Sequence, residues 1–160
     1  MSEKKNFSLQ ELNAFIVKAK AATYVGDGEK AESCRPGSHD LIFEQTPFFY
    51  LDSYFGGSDF IGQEVAYYKG KPVWAMNYYG RILVPEKITA AEAGGVIKES
   101  LSKMYTDEGR FLGGFEHATG DFRYTDTSQG DVASFTGKEW ISRNTEKVYE
   151  LDYHGGLIKE

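Results

Sequence analysis

The pattern of hydrophobic and polar positions predicts two amphipathic helices, each introduced by a capping box. Ser8 and Glu11 form the first box, and Thr89 and Glu92 form the second. After each box, apolar residues return every three or four positions, which is typical of a helix with one buried face. The predicted helices cover residues 8–24 and 89–105.

Short segments in which apolar and polar residues alternate follow each predicted helix. In one of them, Trp74, Met76 and Tyr78 would face one side of a strand and the residues between them the other side. Turns rich in glycine separate most of these segments. The predicted strands cover residues 41–44, 48–55, 60–68 and 73–79, then 111–117, 122–127, 132–141 and 147–153. The polar residues 26–40 are expected to form a loop.

One stretch of the chain occurs twice. Residues 60–83 align without a gap with residues 135–158, and six positions are identical. Chance alone gives about one or two identities over this length. A Tyr-x-Asp motif upstream is also repeated, at Tyr50 and at Tyr124. The match predicts an internal duplication. The identical pairs are Phe60/Phe135, Gly62/Gly137, Glu64/Glu139, Val73/Val148, Tyr78/Tyr153 and Gly80/Gly155.

The order of the predicted elements indicates an α+β fold. We expect tandem pseudo-duplicated units, each a helix plus four antiparallel strands (αβ4), that share one core. The units cover about residues 1–85 and 86–160, and together they are expected to form a single domain over residues 1–160. Because one unit alone would bury its helix poorly, the two are expected to meet around a pseudo-two-fold axis.

Composition and charge narrow the classes of function. The 160 residues carry a formal net charge of −6 and no long basic run, which argues against direct nucleic-acid binding. The polar N-terminus and the lack of an apolar run of bilayer length argue against a signal peptide and against membrane insertion. Cys34 is the only cysteine, so no intramolecular disulfide can form. We therefore expect a cytoplasmic protein.

Three runs of residues resemble an uncharacterised bacterial family, a domain of unknown function. They are SCRPGSHDL at residues 33–41, KPVWAMNYYGR at residues 71–81 and KVYELDYHGG at residues 147–156. Members of that family occur alone and also behind helix-turn-helix domains of the lambda-repressor type (XRE-like). By analogy with other domains fused to DNA-binding modules, the resemblance implies ligand sensing.

The polar loop supplies the first candidate binding residues. Arg35, Ser38 and His39 lie close together in the sequence, and their side chains suit an anionic or polar ligand. The alternative is that these side chains hold the loop against the sheet, with Arg35 paired to an internal carboxylate. The second half has no counterpart of this loop, which favours a role other than completing the repeated fold.

The outward faces of two equivalent strands supply the second group of candidates. Aromatic and hydrogen-bonding side chains beside a glycine are typical of a ligand cleft, whereas the alternative is a solvated sheet face. We predict that the loop candidates Arg35 and His39 face a cavity formed with strand candidates. The strand candidates are Asn77, Tyr79, Arg81, Asp152 and His154.

Catalysis and metal binding receive less support from the sequence. Glu64 and Glu139 occupy equivalent positions and suit an acid–base pair, but a residue kept in both halves more often serves the shared fold. His39 stands next to Asp40, yet adjacent residues of a strand point to opposite sides. The histidines are dispersed, and no metal or other cofactor is predicted.

The predicted function is a sensor-like domain that binds a small molecule and performs no catalysis. The first alternative is a small hydrolase- or lyase-like enzyme that uses His39 with Asp40 or Glu64. The second alternative is a protein-interaction module that partners a separate regulator, and a homodimer is also left open. Neither direct nucleic-acid binding nor membrane binding is expected, and no catalytic residue is assigned.

Overall fold

Two helices lie on one face of a nine-stranded antiparallel sheet in the computed structural model, which describes residues 6–25 and 29–160. The strands follow the order β1-β2-β3-β4-β5-β9-β8-β7-β6. Residues 26–28 of the predicted loop lie outside the described part of the chain. The helices are α1 (Leu9–Lys20) and α2 (Ala90–Ser102). The strands are β1 (Glu29–Ala31), β2 (His39–Gln45), β3 (Phe48–Gly56), β4 (Phe60–Tyr68), β5 (Lys71–Ile82), β6 (Phe115–Thr119), β7 (Phe122–Asp131), β8 (Ser134–Arg143) and β9 (Glu146–Leu157).

Both predicted capping boxes are confirmed. The Ser8 hydroxyl accepts from the amide of Glu11 at 3.1 Å, and the Glu11 carboxylate accepts from the amide of Ser8 at 2.7 Å. Thr89 and Glu92 repeat this arrangement at the start of α2. Each α-helix continues into one π-helical turn, and these turns are Ala21–Val25 and Lys103–Asp107.

Two parts of the predicted element pattern are wrong. The polar segment expected as a loop contains the short strand β1, which pairs with β2, so this half of the sheet has five strands. The strand expected from residue 111 begins only at Phe115, because Phe111 is buried in the core instead of standing in the sheet. β5 and β9 are longer than predicted, since each is hydrogen-bonded on both sides.

The pairing of β5 with β9 joins the two halves of the sheet. Tyr78 lies opposite Tyr153 at the middle of this pairing. On one side of this pair Trp74 lies opposite Leu157, and on the other side Ile82 lies opposite Tyr149. Both halves therefore contribute to one hydrophobic core, in which the predicted burial of Trp74, Tyr149, Met76 and Leu151 is confirmed.

The sheet has one face covered by the helices and one face without helices. On β5, Trp74 and Tyr78 are buried beneath the helices, while Asn77 and Tyr79 are exposed on the other side. Residues that pair directly across antiparallel strands share a face. The register therefore shows which residues of the other strands lie on the same side as Trp74 and which lie on the same side as Asn77. We call these sides the covered face and the open face. No helix of the described residues is both long and apolar enough to cross a membrane.

Candidate functional site

Five ionisable side chains are buried together on the covered face. Four are carboxylates and one is a lysine. A buried charge is costly unless it is paired or neutralised by a proton, so this group is the least expected feature of the core. We call it the carboxylate cluster, and it consists of Lys20, Asp52, Glu64, Asp126 and Glu139.

The first half of the cluster is held by two tyrosines and the lysine. Tyr50 donates a short hydrogen bond to Glu64, and Tyr78 donates to Oδ1 of Asp52 at 2.6 Å. Lys20, on the last turn of α1, places Nζ at 2.8 Å and 3.1 Å from the two carboxylate oxygens of Glu64. Both tyrosine hydroxyls and the ammonium group thus find an anionic acceptor in the core.

The second half repeats the tyrosines but lacks the lysine. Tyr124 donates a short hydrogen bond to Glu139, and Tyr153 donates to Asp126 at 2.7 Å. When the helices are aligned at their capping boxes, the position of Lys20 corresponds to Leu101 of α2. Among the described residues, the carboxylate cluster therefore has two similar sets of tyrosine–carboxylate pairs but only one lysine.

Two of the identical glycines make room for these tyrosines. A Cβ on Gly62 would lie 2.4 Å from the hydroxyl oxygen of Tyr78, and a Cβ on Gly137 would lie 2.0 Å from the ring of Tyr153. Each tyrosine can therefore cross the neighbouring strand to reach an aspartate only because a glycine lies beneath it. This explains why the sequence keeps a Gly, a Glu and a Tyr together in both halves.

Burial changes the protonation of three of the carboxyl groups. It raises the pKa of Asp52 to about 7, with a further contribution from the negative charge of Glu64. It raises the pKa of Asp126 to about 6, and that of Glu139 to about 8, where Asp126 adds repulsion. One lysine cannot balance four carboxylates, so protons neutralise part of the cluster near neutral pH.

Two adjoining cavities open beside the first half of the cluster. The larger one, about 260 Å3, is lined by Thr23, Tyr24, Asp52, Tyr54, Phe60 and Tyr78, and we call it the aromatic cavity. The second, about 220 Å3, lies against α2 and is lined by residues that include Ala93, Ile97, Lys98 and Tyr149; we call it the helix cavity. Tyr24, Gly57 and Phe60 line both, so the two cavities adjoin at these residues.

In the second half, aromatic rings pack around the counterpart of Phe60. Phe135, the counterpart of Phe60, packs against Phe111 with ring centroids 5.6 Å apart. Phe111 also meets the ring of Trp74 edge-on, and its side chain is buried. Asp52 lines the aromatic cavity, whereas Asp126 lines neither of the two cavities.

The predicted loop residues bind the loop to the sheet. Arg35 donates to the backbone oxygen and the hydroxyl of Ser53 at 3.2 Å and 2.8 Å, and its guanidinium lies 4.5 Å from the ring centroid of Phe55. Ser38 is buried and donates to Asp40 at 2.8 Å. Burial alone would raise the pKa of Asp40, but hydrogen bonds from Cys34, Ser38 and Ser53 lower it to about 2.

His39 lies apart from the other candidates. Its ring packs against Tyr54 at 5.1 Å, and by the register of β2 with β3 it belongs to the covered face. Asp40, the next residue, belongs to the open face. Among the described residues, no hydrogen bond joins His39 to a carboxylate.

The predicted strand residues lie together on the open face, where most of them contact neighbouring polar side chains. Asn77 contacts His154 at 3.2 Å, and Arg81 donates to Glu150 at 2.9 Å. Tyr79 lies opposite Asp152 in the register of β5 with β9. None of the eight residues predicted from the sequence lines the aromatic cavity or the helix cavity.

Of the carboxylate cluster, only Glu64 and Glu139 stood out as candidates in the sequence. The sequence does contain a signal for the cluster. The Tyr-x-Asp motif and the glutamate each occur once in both halves, at positions where the surrounding pattern is apolar. Lys20 gave no such signal, because a lysine one turn before the end of a helix is ordinary. In the described residues, no three side chains of His, Cys, Asp or Glu are arranged to hold a metal ion.

Comparison with known proteins gives a family and no function. Residues 52–158 match the family described as "Domain of unknown function (DUF5680)". The chain belongs to this family. The part that matches DUF5680 includes all four carboxylates of the cluster, while α1 with Lys20 lies outside it. No curated protein and no solved structure matches the chain.

Proposed function

We propose that the chain is a non-enzymatic domain that binds a small molecule in the aromatic cavity. The observation that carries this proposal is the combination of a mostly aromatic lining with one carboxylate, Asp52. Ligand sites are typically concave and largely apolar, with a few polar groups that orient the ligand. The volume of the aromatic cavity, about 260 Å3, suits a small metabolite.

Tyr149 adds support from the helix cavity. Its hydroxyl is buried and makes no hydrogen bond of normal geometry with any described residue. Burial raises the pKa of Tyr149, and so does the nearby carboxylate of Glu139. An unsatisfied buried hydroxyl costs about 1–3 kcal/mol, so a ligand that reaches this hydroxyl would gain from it.

The geometry favours binding over the enzyme alternative. His39 and Asp40 belong to opposite faces of β2, so they form no acid–base pair. Glu64 is enclosed by Lys20 and Tyr50 and does not line either cavity. The residues assigned to catalysis in that alternative therefore do not converge on a cavity.

The two halves, in this proposal, are tandem αβ4 repeats related by a pseudo-two-fold axis through Tyr78 and Tyr153. The register supports this, since the pair Trp74/Leu157 becomes the pair Ile82/Tyr149 when each number is moved by the 75-residue offset of the repeat. The helices support it too, because Tyr24 and Tyr105 each follow the N-cap of their own helix by 16 residues.

The proposed setting is the bacterial cytoplasm, where a sensor-like domain would pass a ligand signal to a separate regulator. The single Cys34 is exposed, which suits a reducing compartment. The resemblance of the sequence implies relatives that are fused to lambda-repressor-type modules. In such relatives the ligand signal would pass to a DNA-binding module of the same chain.

A thermal-shift screen of a metabolite library tests the binding proposal, since a ligand that prefers the folded state raises its melting temperature. The discriminating variants are Tyr54→Trp, which narrows the aromatic cavity, and Tyr79→Trp, the same substitution on the open face. We expect Tyr54→Trp to abolish the response and Tyr79→Trp to leave it unchanged. The reverse result would place the ligand on the open face, and a library without any hit would overturn the proposal.

A further inference from the structure

We propose that the occupant of the aromatic cavity is a small protonated amine whose ammonium group lies against Asp52. This inference rests on the proposed binding function and adds the chemical class of the ligand. It follows from the charge in the cavity, from its aromatic walls and from the contrast with Asp126.

Charge is the first argument. Asp52 is the only carboxylate that lines the aromatic cavity, and no basic residue is among the described residues that line it. Lys20, the one cation of the cluster, is bound to Glu64. An anionic ligand would therefore meet a carboxylate without a compensating cation, whereas a cationic ligand would supply the missing countercharge.

The free oxygen of Asp52 is the second argument. Tyr78 donates to Oδ1 of Asp52, and no described residue donates to Oδ2. A carboxylate oxygen can accept more than one hydrogen bond, and bonds from a charged donor are the strongest. An ammonium group would provide such a donor from the side of the cavity.

The aromatic walls are the third argument. Tyr24, Tyr54, Phe60 and Tyr78 contribute rings to the same cavity. The faces of aromatic rings attract cations, and the attraction grows when the site is shielded from water. A carboxylate among several rings is therefore better suited to an organic ammonium ion than to a neutral alcohol or a carboxylate.

The second half shows what the same pair looks like without a ligand site. Asp126 accepts from Tyr153 much as Asp52 accepts from Tyr78. There, the buried ring of Phe111 packs against Phe135, and Asp126 lines neither the aromatic cavity nor the helix cavity. A mutation of Asp126 therefore measures the structural role of a tyrosine–aspartate hydrogen bond alone. Asp52 makes the equivalent hydrogen bond and also lines the aromatic cavity.

The test uses three molecules of similar shape and different charge: benzylamine, benzyl alcohol and benzoate. Ligand-detected NMR titration of the full chain at millimolar ligand compares the unmodified protein with Asp52→Asn and Asp126→Asn. Asparagine keeps the shape and an acceptor for the tyrosine, so both variants are expected to fold. We expect benzylamine to bind best, and Asp52→Asn to weaken it at least about tenfold, while Asp126→Asn leaves it nearly unchanged.

The possible failures are distinguishable. If benzyl alcohol or benzoate binds as well as benzylamine and Tyr54→Trp blocks that binding, the cavity is a site but the amine class is wrong. If Asp126→Asn weakens benzylamine as much as Asp52→Asn, the effect is structural and the proposal is overturned. If benzylamine does not bind, the amine proposal fails, and the library screen alone then decides the binding function.

Discussion

The two halves of the molecule use the same buried tyrosine–carboxylate pairs in different surroundings. In the first half, Lys20 pairs with Glu64 and a cavity borders Asp52. In the second half, Leu101 stands where the lysine would be, and the buried ring of Phe111 packs against Phe135. The shared pairs therefore belong to the fold, and the unshared cation and cavity are where a function can be located.

The comparison also explains how one core tolerates so many acidic groups. Lys20 compensates the charge of Glu64, while protonation neutralises part of Asp52 and Glu139, because burial raises their pKa values to about 7 and about 8. Both solutions avoid an isolated buried charge, which is strongly unfavourable. They respond differently to mutation and to pH, and this makes the difference measurable.

The largest effect is expected when Lys20 is replaced by the residue of the second half. Lys20→Leu leaves Glu64 buried without its cation and should reduce the free energy of unfolding by about 3–5 kcal/mol, as measured by urea denaturation. Adding Glu64→Gln should restore part of the loss. Lys87→Leu, which removes an exposed ion pair with Glu146, is the matched control and should cost less than about 1 kcal/mol. Equal losses for Lys20→Leu and Lys87→Leu would contradict the assigned role of Lys20.

A large effect is also expected when the second half is given a cavity. Phe111→Ala removes a buried ring and should cost toward the lower end of about 3–5 kcal/mol. If the comparison is correct, Asp126 then borders a cavity, and benzylamine should bind with a second equivalent in NMR titration. The control is Ile61→Ala on the open face, where the side chain is 55% exposed and little stability should be lost. A Phe111→Ala variant that is as stable as the Ile61→Ala variant would show that Phe111 does not support the core.

The dependence of stability on pH should show the protonated carboxyls. Asp52, Asp126 and Glu139 have raised pKa values when folded, so the folded state binds more protons and stability falls as pH rises between the unfolded and folded pKa values. The free energy of unfolding, measured by urea denaturation, should therefore be higher near pH 5 than near pH 8, by at least about 1 kcal/mol.

A single variant measures how much of this pH dependence comes from Glu139. Glu139→Gln should flatten the fall in stability, because the amide cannot ionise as the pH approaches 8. Glu150→Gln is the control: its hydrogen bond with Arg81 lowers the pKa of Glu150 from 4.5, so its contribution lies at lower pH. A stability that rises from pH 5 to pH 8 would refute the proposed protonation.

The smallest effects on stability are expected in the polar loop. Arg35→Ala and His39→Ala should each cost less than about 1 kcal/mol in urea denaturation, with Arg123→Ala as a control for an exposed arginine. The binding of a library hit to these two variants tests the prediction, made from the sequence, that Arg35 and His39 contact the ligand. If these two variants abolish the response and Tyr54→Trp does not, the loop is the site and the aromatic cavity is not.

The local pattern of apolar and polar residues predicted the helices and strands better than it predicted the contacts between them. The capping boxes and the alternation around Trp74 were sufficient to identify both helices and the buried side of β5. β1 was missed because Glu29–Ala31 has no hydrophobic alternation and depends on pairing with β2. Residue 111 was placed in a strand because its apolar side chain continues the pattern, although it packs in the core instead.

The candidate site was harder to predict than the fold. Polar residues on an exposed strand resemble a ligand site in the sequence, yet Asn77 and His154 hydrogen-bond to each other. Asp52 looks like an ordinary strand residue until folding places it beside Tyr54 and Phe60. Long-range packing decides which polar side chains face a cavity, and a single sequence does not contain that information.

The central pairing of β5 with β9 has an evolutionary consequence. On the proposed duplication, an ancestral single unit would have ended in an unpaired strand equivalent to β5, and such an edge readily pairs with another chain. Two copies joined through that edge would have formed a two-fold symmetric homodimer, with Tyr78 facing its own copy where Tyr153 now lies. On the same proposal, fusion of the genes would have freed the two halves to diverge, so that only one half acquired the lysine and the aromatic cavity.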